Sequence, residues 1–121
     1  MTQTEFIAEL RDFCRVTENG LVKYLKERPP GREPSAASLR RHKWFSDLPA
    51  RDQQSVEEVV GLAVRTSIFQ LLVELDGVSG KSDLNTGMYE LRFLKGNEVD
   101  VLNDRSAGFL HDEFFEESDP Q

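Results

Sequence analysis

The chain is 121 residues long, with 38% apolar and 31% charged residues and a net charge of -7. That length suits one domain and leaves no room for a second independent core. A single cysteine excludes an internal disulfide framework, no apolar run approaches the roughly 20 residues that cross a bilayer, and eight Phe argue against disorder throughout.

Thr2-x-x-Glu5 reads as a capping box. Behind it Phe6, Ile7, Leu10, Phe13 and Cys14 recur at three- and four-residue spacing, one apolar face of a helix. Cys14 on that face is expected to be a buried, unreactive thiol. Asn19-Gly20 reads as the end of this helix, and Leu21, Val22, Tyr24 and Leu25 as a short second one that stops before Pro29-Pro30. Residues 29–38 read as a loop. Ser38 to Phe45 gives a helical turn or two.

The strongest periodicity begins near Pro49. Val56, Val59, Val60, Ala63, Val64, Ile68, Leu71, Leu72 and Leu75 form one stripe, and Leu62, Phe69 and Val73 widen it. A helix this apolar is expected to be central, covered on two sides, and to end at Asp76-Gly77. Residues 76–87 hold three glycines and read as a loop. Tyr89, Leu91 and Phe93 alternate with polar residues, Gly96-Asn97 is a turn signal, and Glu98 to Val101 alternates again, which predicts a β-hairpin. After a loop over 103–108, Phe109, Leu110, Phe114 and Phe115 give a short helix or strand with acidic polar positions. The fold class is therefore α+β in a single domain over 1–121: N-terminal helices and a long central helix packed with a C-terminal hairpin.

Few constellations carry chemistry. Gly80-Lys81-Ser82 resembles the close of a phosphate-binding loop, but position 75 is Leu, where that loop needs Gly, and a helix precedes the tripeptide. Cys14, His42 and His111 are too few and too scattered for a zinc site. His111-Asp112 suggests a base with its orienting carboxylate, yet adjacent residues seldom meet that way, so a capping histidine is preferred. Asp83-x-Asn85-x-Gly87 lacks the glycine and closing glutamate of a calcium loop. No catalytic, metal or cofactor residues are assigned.

Charge divides the chain. Residues 1–60 balance ten Lys/Arg against ten Asp/Glu, whereas residues 61–121 hold five against twelve and carry the whole excess. Phosphates would be repelled by that second half. Arg40, Arg41, His42 and Lys43, with Arg28 and Arg32 nearby, form a basic region followed by Trp44 and Phe45. The favoured reading is a solvated basic face whose Trp and Phe turn inward; contact with nucleic acid is the alternative.

Ile68 to Val78, followed by Leu110-His111-Asp112-Glu113-Phe114, resembles a pattern in small uncharacterised bacterial proteins: a long helix ending Leu-Asp-Gly, a hairpin, and a C-terminal Leu-His-Asp-x-Phe. The resemblance covers roughly residues 48–115, and in size and charge the chain is similar to cytoplasmic immunity proteins. It implies an architecture and lends no catalytic residues; the expectation of a cytoplasmic, bacterial protein comes instead from the single cysteine and from an opening that does not read as a signal peptide. The functional expectation is a non-catalytic interaction domain, of inhibitor or immunity type, meeting a basic protein partner through Asp112, Glu113, Phe114, Phe115, Glu116 and Glu117. The rival is an enzyme or ligand binder with a site between the 76–87 loop and the C-terminal segment.

Overall fold

The computed structural model describes residues 1–77 and 87–118; for Glu116, Glu117 and Ser118 it describes the backbone. Among these residues the chain forms α1 (Gln3–Lys26), α2 (Ala36–Asp47), α3 (Ala50–Leu75), β1 (Arg92–Lys95), β2 (Glu98–Val101), a 3-10 turn (Arg105–Ala107) and α4 (Leu110–Ser118). This is an α+β fold. No helix among the described residues is long and apolar enough to cross a membrane. The Gly80-Lys81-Ser82 tripeptide, Asp83 and Asn85 lie outside the described residues.

The chain divides into two compact units, Cys14–Arg65 and Met1–Phe13 with Thr66–Gln121. In the Cys14–Arg65 unit, Cys14 and Phe45 are buried, as is Gly61. Ser35 caps α2 by accepting from Ser38 N at 3.1 Å, and Gln53 Nε2 donates to Phe45 O at 2.9 Å. The expected break at Asn19-Gly20 is absent: α1 runs through it unbroken. A helical glycine costs only about 1 kcal/mol, and Cys14, Glu18 and Leu25 continue the same face across it. Trp44 departs from expectation too, being half exposed while its neighbour Phe45 is buried.

In the other unit the capping box forms as read: Glu5 N donates to Thr2 Oγ1 at 3.1 Å and Thr2 N to Glu5 Oε2 at 2.8 Å. Ile7, Leu72, Leu102, Leu110 and Phe114 fill the core. α3 ends at Leu75 as expected, with Gly77 at φ +75 and Gly77 N donating to Glu74 O at 3.0 Å. Its apolar stripe is narrower than read. Leu72 is buried, but Leu71, Val59 and Leu62 are exposed, so the helix is not covered on two sides. The hairpin pairs Lys95 with Glu98 across Gly96-Asn97, with Gly96 at φ +60, a conformation two-residue hairpin turns require. β1 starts at Arg92 rather than Tyr89, because the preceding segment is bound by a side chain instead.

Candidate functional site

That side chain is Asn103, which is buried. Its Oδ1 accepts from Leu91 N at 2.9 Å, and its Nδ2 donates to Tyr89 O at 2.8 Å and to Leu75 O at 3.0 Å. One amide thus joins the end of α3 to the approach to β1 and supplies backbone partners that a longer ladder would otherwise provide.

The second buried polar group is Asp76, 1% exposed, just past the end of α3. The start of α4 has no capping side chain of its own, since Phe109 precedes it. Asp76 supplies the cap from a distance: Oδ1 accepts from Leu110 N at 3.2 Å and Oδ2 from His111 N at 2.9 Å. These are orphan donors of the first helical turn, and a carboxylate there also meets the positive end of the helix dipole. His111 Nδ1 donates to the same Oδ2 at 2.6 Å. The imidazole is stacked by Phe109 at 5.5 Å and met edge-on by Phe69 at 5.7 Å.

Here the sequence reading of His111-Asp112 needs correcting. The adjacent carboxylate does meet the ring: Asp112 Oδ1 lies 3.2 Å from Nε2. The orienting carboxylate, however, is Asp76. With Nδ1–H held by Asp76, Nε2 is the nitrogen that would serve as a base, and it faces a carboxylate rather than open space. Both Asp76 oxygens are committed to α4, so the arrangement positions a helix.

The proposed partner-binding residues divide between the faces of α4. Phe114 is 2% exposed and belongs to the core, whereas Phe115 is 54% exposed with its ring against Phe69 at 5.6 Å. Asp112 is exposed. Glu113 is half-buried, and its carbonyl accepts from Arg11 Nη2 at 2.6 Å. Glu116 and Glu117 are helical. Spacing of three residues puts Asp112 and Phe115 on one helical face.

The other candidates fall apart in space. Cys14 is buried, and burial first, then the Glu18 carboxylate, raises its thiol pKa. His42 Nδ1 donates to Leu25 O at 2.9 Å. No three His, Cys, Asp or Glu among the described residues gather as a metal site. In the basic region Lys43 pairs with Asp47 at 2.9 Å, and Arg41 Nη2 donates to the Tyr24 hydroxyl at 3.2 Å. The Tyr24 hydroxyl also bonds Ser38 Oγ, and this contact first, then Arg41, lowers its pKa.

Sequence reasoning missed Asp76 and Asn103 as organising residues. Asp76 looked like a helix stop and Asn103 like a loop residue, and their partners lie elsewhere in the chain. Comparison with protein-family models, curated proteins and solved structures returned no match.

Proposed function

We propose that this chain is a non-catalytic protein-interaction domain, of the inhibitor or immunity type, which engages a basic partner through the outer face of α4. The observation that carries this reading is the division between adjacent phenylalanines. Phe114 anchors α4 in the core, while Phe115 stands more than half exposed on the face shared with Asp112. An aromatic anchor beside carboxylates suits a docking surface: the ring supplies burial on binding, and the acids steer a positive partner. Asp76 and Arg11 fix α4 from beneath, so its outer face is preorganised.

The test places a photo-crosslinking phenylalanine analogue at position 115 in cells of the source organism. The expected adduct is with one protein of basic surface. Its yield should fall with added salt and with Asp112→Lys, which loses one exposed first-turn carboxylate and should lower the melting temperature only slightly. The reading fails if no such adduct forms, or if salt and charge reversal leave it unaltered.

A further inference from the structure

Among the described residues, no strand pairs with either outer edge of the hairpin. Leu102 N donates to Leu91 O at 2.8 Å, and an antiparallel ladder alternates hydrogen-bonded and non-hydrogen-bonded pairs. The register then makes Phe93–Asp100 and Lys95–Glu98 the bonded pairs. Val99 and Val101 consequently turn their N–H and C=O groups outward, away from β1. Among the described residues the sheet has two strands, an arrangement that is marginal unless something extends or covers it.

Ligand clefts commonly run to about 300–1,000 Å³, and one of ≈ 530 Å³ lies along β2. Its lining includes Val99, Asp100 and Val101 of the strand and Thr2, Gln3 and Thr4 at the start of α1. Asp104 and Glu113 line it as well, so three carboxylates face one ammonium, that of Met1, which lies 2.7 Å from Asp100. The Ser106 N–H first, then its hydroxyl, hold the Asp104 carboxyl below its ordinary range.

We infer that this cleft is a strand-addition site, in which an extended basic segment of a protein partner pairs with the open edge of β2. The strand supplies main-chain donors and acceptors at Val99 and Val101, which any extended peptide can meet. Asp100, Asp104 and Glu113 select the charge. Apolar residues at alternate positions of the incoming segment would lie beside the exposed Val99 and Val101 side chains, extending the ribbon to three strands. A second copy is a poor occupant, because it brings a net charge of -7 to an acidic cleft. The inference rests on the reading of a basic partner but assigns it a different contact from the outer face of α4.

The probe is a short synthetic peptide alternating Lys and Val, observed through the amide signals of the 15N-labelled full chain. It should shift the Val99 and Val101 amides and slow their hydrogen exchange. Two comparison peptides separate strand pairing from charge. One, methylated on alternate backbone nitrogens, keeps its charge but should bind roughly tenfold or more weakly, having lost two hydrogen bonds. The other, alternating Glu and Val, should not bind. Val99→Pro removes an outward N–H without breaking a ladder bond and should weaken binding. Glu113→Lys should also weaken it, and serves if the proline variant does not fold. Equal affinity of the methylated peptide overturns the inference, as does sedimentation of the free chain as a dimer through this edge. Shifts confined to Asp112 and Phe115 would sink strand addition and leave the α4 reading standing. Protection of Val99 and Val101 without a crosslink from position 115 would do the reverse.

Discussion

The two units hold their backbones in place by different means. The Cys14–Arg65 unit is helical between its loops, and its helices satisfy their own N–H and C=O groups except at their ends, where Ser35, His42 and Gln53 supply local partners. Its ion pairs are at least partly exposed: Arg65–Glu18 at 2.8 Å, Lys26–Glu57 at 3.3 Å and Lys43–Asp47 at 2.9 Å. The other unit contains a hairpin of two four-residue strands, a 3-10 turn and a nine-residue helix. Elements so short leave many backbone groups unmet, and Asp76 and Asn103 are buried to meet them. Where regular structure is brief, side chains complete the hydrogen bonding, and those side chains become the critical ones.

Asp76→Ala tests this contrast most severely. It orphans Leu110 N–H, His111 N–H and the His111 ring N–H at once. Leaving a buried donor without its acceptor costs about 1–3 kcal/mol, and three donors lose theirs together. Melting should drop accordingly, and amide exchange over residues 110–115 should rise most. Asp76→Asn should not rescue, because its amide would present a donor to donors. A loss under about 1 kcal/mol would show that α4 does not depend on the borrowed cap, and the contrast between the units would fail.

Leu72→Ala compares apolar filling on the same scale. A packed Leu→Ala change costs about 2–5 kcal/mol, while Leu71→Ala, at a 54% exposed position, should fall within about 0.5 kcal/mol. Thermal unfolding of the pair measures which side of α3 is core. Equal losses would mean that both faces are covered, as the breadth of its apolar stripe first suggests.

That stripe shows where sequence reading succeeds and stops. Periodicity located α3, the Thr2–Glu5 box and the Gly96-Asn97 turn, because each is decided within a few residues. It also placed Cys14 and Leu72 in the core. It could not choose between Leu71 and Leu72, or between Phe114 and Phe115, since neighbours on a broadly apolar helix differ only in what lies opposite. Asn19-Gly20 misled because a local cost of about 1 kcal/mol was weighed without the packing that offsets it. The α4 acids were legible as a cluster, but their orientation was not, because it is set by Asp76, thirty-odd residues away in sequence.

The smallest expected effect belongs to the surface carboxylate that mirrors Asp76 in the helical unit. Glu18 accepts from Arg65 Nη1 at 2.8 Å, with the two side chains 22% and 41% exposed. An exposed pair of this kind contributes about 0–1 kcal/mol, so Glu18→Gln should barely move the melting temperature. Its electrostatic effect is read instead at Cys14. Burial raises that thiol, Glu18 raises it further, and Arg65 opposes. Glu18→Gln should therefore lower the thiol pKa and Arg65→Gln should raise it, measured as the pH dependence of native-state labelling by a thiol reagent. The sign for stability follows. A native pKa above the unfolded value leaves the contribution whole below roughly pH 8.5, the ordinary thiol range. It is then lost as pH climbs through the raised native value, because the unfolded thiol ionises first. Glu18→Gln narrows that window and Arg65→Gln widens it. Fast labelling of the wild type at neutral pH would place Cys14 at the surface, and the helical unit would then lack the apolar seam on which its contrast with the other unit depends.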